Sequence, residues 1–254
     1  MQYYFKSIPI DGCPEALNLS GFGRRSMKKR LGLGSLTVSV LWLKFDEDSD
    51  DQVYISVDTL YIPLKISTPI YKYLRKKYQF SPCQIIFNAS HTHSAPALEE
   101  LFAPNEYVDS KYVEYVLERL LSIFQEVKKN SFLNGIISFK QIDVPSCLTI
   151  SRRKIGFDVR SFYLKKKMIM LPNSKNKIDD KIRLFIIYDH LKKIDIVLYN
   201  LSCHPVFDDG YQVSSDFIGV INNYLFKEKN IKGMFLQGFL GDIRPNFTTR
   251  NLLK

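Results

Sequence analysis

Several apolar segments of the chain end in clusters of polar residues, and this pattern constrains the fold more than any other feature. The four clusters are Asp58, His91 with His93, His204, and Asp242 with Arg244 and Asn246. In α/β sheets the core fixes the strands, while the loops beyond their carboxyl ends are free to carry reactive groups. The sequence therefore predicts an α/β fold, with mixed β-sheets flanked by helices and one crevice lined by these four strand ends.

Hydrophobic periodicity assigns most of the remaining chain to helices and strands. A predicted helix begins at Pro63 and runs to about Tyr78, with basic residues in its last turns, where the helix dipole favours them. A second helix is predicted over residues 108–129 from one apolar stripe, and a third over 217–228 behind a Ser-Ser-Asp cap. Residues 8–34 are punctuated by glycine and proline and are predicted to form loops. The predicted strands are 36–45, 52–58, 83–88, 134–142, 157–171, 183–189, 194–201 and 231–236.

Length and composition fit an ordinary globular protein. The 254 residues are enough for one large domain or two small ones, and 45% of them are hydrophobic. No apolar segment approaches the roughly 20 residues that a membrane-spanning helix needs, and the first residues do not resemble a secretory signal. The four cysteines are far apart, so neither a cysteine zinc site nor a disulfide framework is predicted. These features together favour a cytoplasmic protein.

The net charge of +10 leaves several partners open, namely nucleic acid, an anionic membrane surface or an acidic substrate. Much of the excess comes from scattered short runs such as 28–30, 165–167 and 192–193. These runs show no aromatic-basic interleaving along one face, so they favour a solvated surface. We expect no nucleic-acid partner, and peripheral contact with a membrane is the second interpretation.

Three of the four histidines follow two of the apolar segments. His91 and His93 are two residues apart, so in an extended chain both imidazoles point to the same side and can serve one metal ion. Taken alone, such a pair can equally cap a strand end. His204 follows its own apolar segment in the same way, which shifts the balance towards a metal site. His190 falls in a predicted hairpin turn and is not a candidate ligand.

Three imidazoles close to carboxylates, without a thiolate, favour zinc as the metal. A zinc ion lowers the pKa of bound water to about 7 and polarises a carbonyl group, which makes hydrolysis the natural reaction class. Asp242 lies in a glycine-rich turn and is a candidate catalytic residue. Asp216, at the start of a predicted helix, is explained by the helix dipole.

Five motifs occur in the order found in the neutral/alkaline non-lysosomal ceramidases. They are Gly21-Phe22-Gly23-Arg24, Asn88-Ala89-Ser90-His91-Thr92-His93-Ser94, Ser202-Cys203-His204-Pro205, Ser214-Ser215-Asp216 and Gly241-Asp242-Ile243-Arg244-Pro245-Asn246. The resemblance covers nearly the whole chain, and the H-T-H-S and G-D-x-x-P-N elements are its specific parts. It implies a zinc-dependent amidase that cleaves an N-acyl bond of a lipid or related small-molecule substrate. It also implies that residues 1–254 form a single catalytic domain without the C-terminal portion found in that family.

The resemblance implies roles for the matched residues. His91 and His204 are the implied zinc ligands, and His93 would lie beside the metal as a polarising or substrate-orienting group. Arg153 resembles the family's arginine near the scissile amide, with Arg152 as the alternative. The implied substrate-binding residues are Arg24 and Asn246.

Two departures from the family pattern affect the expected chemistry. Ceramidases have a catalytic serine where this chain has Arg244, and they take further zinc ligands, a glutamate and a tyrosine, from a region beyond this chain. A guanidinium is always charged and cannot act as a nucleophile, but it can stabilise an oxyanion or hold an anionic group. We therefore expect metal-hydroxide attack on a substrate more acidic than ceramide.

Two other functions stay open at this point. A truncated or catalytically inactive member of the family would bind a lipid or another partner without turnover. A basic nucleic-acid-binding protein would show strongly salt-dependent binding, but no motif supports it.

Overall fold

The computed structural model describes residues 1–11, 18–22, 25–26, 34–45, 50–99, 108, 110–158 and 165–247. Within these residues one eight-stranded mixed sheet is flanked by three helices, so the expected α/β fold is confirmed. The helices are α1 (Leu64–Tyr78), α2 (Ser110–Glu126) and α3 (Asp216–Lys229). The strands are β1 (Gln2–Pro9), β2 (Asn18–Leu19), β3 (Arg25–Ser26), β4 (Thr37–Lys44), β5 (Gln52–Val57), β6 (Ile85–Ala89), β7 (Leu133–Asp143), β8 (Thr149–Ser151), β9 (Lys154–Asp158), β10 (Lys165–Ile169), β11 (Lys181–Asp189), β12 (Ile194–Leu201), β13 (Lys232–Gln237) and β14 (Ile243–Pro245).

The strand order of the main sheet is β13-β12-β11-β7-β1-β4-β5-β6. The outermost pairs, β5 with β6 and β12 with β13, are parallel, and the pairs between them are antiparallel. Parallel strands share the edge at which they end, so each outer pair directs two loops to one place. The two pairs lie at opposite edges of the sheet and would be far apart if the sheet were flat.

The sheet curls until its two edge strands meet. Asn88 of β6 donates from its side-chain Nδ2 to the Phe235 carbonyl of β13 at 2.9 Å, and its Oδ1 accepts from the Gln237 N–H at 2.8 Å. Ser56 of β5 also donates to the Phe235 carbonyl, at 3.1 Å. The Asn88 amide thus takes the place of a backbone peptide in the ladder. It brings the carboxyl ends of both parallel pairs together.

The core lies on both faces of β4, which explains the continuous apolar character of that strand. Val38, Val40 and Trp42 face α1 and α2 and are almost fully buried there. Leu41 and Leu43 face the inside of the curl, where they pack with residues of β1, β11, β12 and β13. Burial of each such side chain stabilises the fold by about 1.5–3 kcal/mol. This two-sided core holds the strands that carry the site.

Helices α1 and α2 pack against this core through apolar residues at helical spacing. In α1 the buried residues are Ile66, Ile70 and Leu74, four residues apart, so they lie on one face of the helix. Helix α3 packs on β12 and β13, where Ile218 meets Phe235. None of the helices in the described part of the chain is long and apolar enough to span a membrane.

One expectation from the sequence is wrong, and one strand was missed. Residues 157–171, predicted as one strand, contain only the end of β9 and the whole of β10, which pair as a hairpin in which Ile155 faces Met168. Both arms are rich in apolar and lysine residues, so the pattern along the chain does not reveal the reversal. The missed strand is β1, which lies near the middle of the sheet between β7 and β4 and shares only Ile8 and Pro9 with the predicted loop segment. The Tyr3 hydroxyl of β1 donates to Asp195 at 2.8 Å, a contact across 192 positions that local patterns cannot predict.

Candidate metal centre

Three imidazoles converge beyond the carboxyl ends of β6 and β12. The candidate ligand atoms of His91, His93 and His204 all lie within 4.8 Å of one another. The two Nε2 atoms of His93 and His204 are 2.8 Å apart, and the rings of His91 and His204 are perpendicular with centroids 4.7 Å apart. Zinc–nitrogen bonds of about 2.0–2.1 Å bring two ligand atoms to within roughly 4 Å, so small rotations are enough to reach one ion.

The hydrogen bonds of two imidazoles fit metal ligation. His91 Nδ1 lies 2.7 Å from the Leu60 carbonyl, and His204 Nδ1 lies 3.1 Å from the Leu240 carbonyl. A carbonyl oxygen only accepts, so each Nδ1 carries the proton and each Nε2 keeps a lone pair. Metal-bound histidines nearly always donate their other N–H to such an acceptor, which fixes the tautomer and the ring orientation. The donor set therefore fits a divalent ion.

The electrostatic surroundings keep these imidazoles neutral. The pKa of His204 is lowered to about 4, chiefly by burial and also by the nearby charge of Arg152, against the opposing effect of the hydrogen bond to the Leu240 carbonyl. Burial also lowers the pKa of His91, with a smaller contribution from Arg152. Only neutral imidazole binds a metal, so both side chains are in their ligating form near neutrality.

The backbone around His91 continues the ladder between β5 and β6. The Ser90 N–H donates to the Val57 carbonyl at 3.0 Å, and the His91 N–H donates to the Thr59 carbonyl at 2.9 Å. His91 itself has a φ of 63°, a left-handed conformation that is uncommon for a residue with a side chain. Such strain costs about 1–3 kcal/mol and persists where the surrounding structure fixes it. The conformation turns the chain sharply at the point where the first imidazole is placed.

The small polar residues of the H-T-H-S motif anchor this loop. Thr92 donates from its hydroxyl to the Ser214 carbonyl at 2.7 Å, and Ser94 donates to the Asp208 carbonyl at 3.0 Å. Asp216 then accepts from the backbone N–H of Asp208 at 2.7 Å. Asp216 is fully buried, and burial raises the pKa of its carboxyl to about 6. The helix-dipole explanation of Asp216 is therefore incomplete, because its carboxyl group also ties this loop to α3.

The glycine turn singled out in the sequence lies directly against His93. Gly21 has a φ of +98°, and a Cβ atom built on it would lie 2.5 Å from Cγ of the His93 ring. The neighbouring Phe22 ring packs on His93 with centroids 4.8 Å apart. A side chain at position 21 would displace the imidazole, so the glycine is required by close approach as well as by its backbone conformation.

Four further candidates form what we call the rim, defined as Arg152, Arg153, Asp242 and Arg244. Strands β8 and β14 pair here, and the Arg152 N–H donates to the Asp242 carbonyl at 2.6 Å. The side chains of Arg152 and Arg153 both donate to the Gly241 carbonyl, at 3.2 and 3.3 Å. Burial lowers the pKa of Arg152, and the charges of Arg153 and Arg244 lower it further. Asp242 opposes this lowering, and both Arg153 and Arg244 are close enough to Arg152 to repel its charge.

The predicted substrate-binding residue Asn246 contacts a part of the structure other than the imidazoles. Asn246 donates from Nδ2 to the Cys147 carbonyl at 3.2 Å and lines a separate cavity of about 460 Å³ together with Thr149 and Asn173. No histidine lines that cavity. Arg24 lies outside the described residues.

Sequence reasoning missed the positioning role of Asn88. It was noted only as part of a motif, although an amide within the apolar strand Ile85–Ala89 is a signal in itself, because a buried amide needs partners. A second missed feature is Ser202, two residues before His204. Its hydroxyl donates to Asp179 at 2.5 Å and accepts from the Phe239 N–H at 3.0 Å. These bonds fix the strand ends that carry the imidazoles.

Comparisons with known proteins agree with this architecture. No protein-family model matches the chain, and no curated protein matches it in sequence. Solved structures do match. The neutral ceramidase from Pseudomonas aeruginosa superimposes with a TM-score of 0.75 over 96% of this chain at 12% identity. A ceramidase complexed with C2 gives a TM-score of 0.73, with the same coverage and identity. This chain has a ceramidase-like fold. It spans 39% and 38% of the length of those two chains.

Proposed function

We propose that this chain is a zinc-dependent hydrolase of the neutral ceramidase type, which cleaves an N-acyl amide bond with metal-activated water. The observation that carries the proposal is the convergence of three imidazoles, two of them with Nδ1 directed to a backbone carbonyl, on a ceramidase-like fold. The choice of zinc rests on the donor set. Cys203, next to His204, does not add a thiolate, because burial raises the pKa of its thiol.

The residues divide the chemistry among them. His91 and His204 hold the ion, which supplies an acidified water and polarises the amide carbonyl when bound. His93 directs its Nε2 towards the same point and orients the carbonyl group. Arg153 donates to the amide oxygen as it gains negative charge. Asp242 accepts a proton from the attacking water and returns it to the leaving nitrogen.

The substrate is proposed to be a lipid-like or N-acylated small molecule. Phe239 is 79% exposed and precedes Leu240, whose carbonyl orients His204. Ile155 and Met168 are exposed on the hairpin that begins next to Arg153. These apolar side chains offer a surface for an acyl chain, and the same surface supports peripheral contact with a membrane. No feature here calls for nucleic acid as a partner.

A binding module without turnover is the alternative function. One observation favours it: the cluster found among the described residues contains three histidines and no carboxylate. A metal site with so few protein ligands holds its ion weakly. A weakly metallated chain would bind the substrate without cleaving it.

Metal content and amide cleavage, measured on the same preparations, test the proposal. The wild-type chain is expected to bind one zinc ion per molecule and to cleave an N-acyl amide, and a double variant, His91→Ala with His204→Ala, is expected to do neither. His190→Ala is the matched control, because His190 lies in an exposed turn between β11 and β12. Zinc binding without cleavage would favour the binding module. Cleavage that survives both chelation and the double substitution would contradict the proposal.

A further inference from the structure

The rim holds more positive charge than a neutral amide substrate needs. Arg152 and Arg153 both donate to the Gly241 carbonyl, and Arg244 lies on β14, which pairs with β8 directly before them. Ile243 lies between Asp242 and Arg244, and its carbonyl accepts from the backbone N–H of His204 at 3.0 Å, so the rim joins the chain beside His204. Three guanidinium groups are thus gathered beside the proposed cation site.

These arginines differ from an arginine with a structural role in the same protein. Arg183 is held by Asp179 through two hydrogen bonds of 2.8 and 3.0 Å. Within the described part of the chain, Arg152, Arg153 and Arg244 form no ion pair with a carboxylate. The rim's own acid, Asp242, offers one negative charge for three positive ones. Planar guanidinium groups match carboxylate and phosphate oxygens in a bidentate way, so unpaired arginines beside a site suit an anionic ligand.

We infer that the substrate carries a carboxylate or phosphate group close to the scissile amide and that Arg152 and Arg244 hold this group. The inference rests on the proposed amide hydrolysis. In that reaction the acyl chain is apolar, so the negative charge belongs to the amine part of the substrate. Arg153 remains directed to the amide oxygen. The substrate class is therefore an N-acyl amino acid or an N-acyl amino phosphate.

The reaction balances without any co-reactant other than water. The carbonyl carbon gains a bond to the water oxygen, and the carbon–nitrogen bond breaks with its electron pair left on nitrogen. The nitrogen takes up a proton from the water. The second proton of the water passes from the carboxylic acid to the amine, so the products are a fatty carboxylate and an ammonium compound that keeps the anionic group.

Three conjugates with the same acyl chain test the inference on the zinc-loaded full chain. N-dodecanoylglycine carries a carboxylate, N-dodecanoyl-O-phosphoethanolamine carries a phosphate, and N-dodecanoylethanolamine is neutral. We expect kcat/KM to be at least about tenfold higher for one anionic conjugate than for the neutral one. The reason is that a hydrogen bond to a charged group contributes about 1.5–3 kcal/mol, and about 1.4 kcal/mol corresponds to a tenfold change. The better of the two anionic conjugates identifies the group. Equal kcat/KM for all three would overturn the inference and leave amide hydrolysis standing.

Variants assign the preference to the rim. Arg244→Gln and Arg152→Gln are each expected to lower the anionic-to-neutral ratio of kcat/KM about tenfold, and Arg244→Lys is expected to restore part of it. Arg75→Gln, which removes an exposed charge from the last turn of α1, is the control and should leave the ratio unchanged. A ratio that survives both rim substitutions would contradict the assignment.

A binding measurement separates the inference from the proposed function. If no conjugate is cleaved, amide hydrolysis fails as the function. Titration of the same three conjugates into the His91→Ala, His204→Ala variant then tests whether the rim binds an anionic group. Tighter binding of an anionic conjugate, lost in Arg244→Gln, would support the anion site without turnover. Equal binding of all three would overturn it.

Discussion

The buried part of the candidate site and its rim use their polar groups in opposite ways. In the buried part, which we call the floor (His91 and His204), the side chains bond to backbone carbonyl groups of the protein. The rim has three half-buried guanidinium groups, and none of them forms an ion pair within the described residues. Two of them, those of Arg152 and Arg153, donate to the same backbone carbonyl of Gly241. The floor is thus held in place by the fold, while the rim keeps charge available for a ligand.

This difference separates stability from selectivity. The floor depends on the curl of the eight-stranded sheet, so changes there should alter the free energy of unfolding and the affinity for metal. The rim is carried by β8 and β14, a short ladder of three residue pairs that stands apart from the eight-stranded sheet. Changes in the rim should alter substrate preference and leave the free energy of unfolding almost unchanged.

The largest effect is expected when the link that closes the sheet is cut. Asn88→Ala leaves the Phe235 carbonyl without the amide donor and the Gln237 N–H without its acceptor. The Gln237 N–H is left unsatisfied, which costs about 1–3 kcal/mol, whereas the Phe235 carbonyl keeps the Ser56 hydroxyl and loses one hydrogen bond of about 0.5–1.5 kcal/mol. The free energy of unfolding should therefore fall by about 1.5–4.5 kcal/mol. Zinc affinity should fall about 10–100-fold, as for other substitutions that disturb the support of metal ligands. Denaturant unfolding and zinc titration measure the two effects.

The control for Asn88 is Asn134→Ala, which removes an exposed amide whose only partner shown is the Gln2 side chain. It should change the free energy of unfolding by less than about 0.5 kcal/mol. Equal stability of the two variants would mean that Asn88 does not hold the edges together.

A second effect concerns the buried carboxyl of Asp58, which directly follows β5. Its Oδ2 accepts from both the N–H and the hydroxyl of Thr37, yet burial raises its pKa from 3.8 to about 6. A raised acid pKa means that the folded state holds the proton more tightly than the unfolded state does. The stabilisation is fully present below pH 3.8 and is lost as pH rises through 6. The loss is about 3 kcal/mol for a shift of about 2 units.

Comparison with Asp58→Asn isolates this contribution, because asparagine does not titrate. Between pH 4 and pH 7 the wild-type chain should lose about 3 kcal/mol of unfolding free energy relative to the variant. If the unfolding free energies of the two proteins change in parallel between pH 4 and pH 7, the Asp58 carboxyl does not have a raised pKa in the folded state.

A third effect tests how closely His93 is held. Gly21→Ala places a methyl group against the His93 ring and forces alanine into a left-handed conformation. Displacement of a positioning group by about 1 Å can lower kcat/KM about 100-fold, which corresponds to about 2.7 kcal/mol in the barrier. Gly241→Ala is the control for stability, because an added methyl there meets open space. If Gly21→Ala cleaves the amide as fast as the wild-type chain does, His93 has no role in the reaction.

The smallest effect is expected on the stability of rim variants. Arg152→Gln removes a half-buried positive charge that is repelled by the charges of Arg153 and Arg244. The free energy of unfolding should therefore change by less than about 0.5 kcal/mol. A loss of several kcal/mol, measured by denaturant unfolding, would mean that Arg152 is a structural residue like Arg183.

The floor was largely predictable from the sequence, and its supports were not. His91 and His204 each follow an apolar strand, and the strand-end rule for α/β sheets is enough to expect them together across 113 positions. The role of Asn88 depends on how far the sheet curls, which is a property of the whole sheet. No local pattern carries that information.

The rim was predictable in composition but not in arrangement. Arg153, Asp242 and Arg244 were chosen from motifs, but β8 and β14 are three residues long and leave no periodic signal. The reversal between β9 and β10 was missed for a related reason, since alternation does not distinguish one long strand from two paired ones. Asn246 belongs to the same motif as Arg244, yet the ladder directs it to a different cavity.

Zinc anomalous diffraction from crystals of the full chain would test the central claim most directly. The account predicts one strong peak at the point where the three imidazoles converge, bonded to Nε2 of His91 and of His204 at about 2.0–2.1 Å. The peak should be absent in the His91→Ala, His204→Ala variant and present in His190→Ala. Zinc-saturated wild-type crystals with no peak between His91 and His204 would contradict the account.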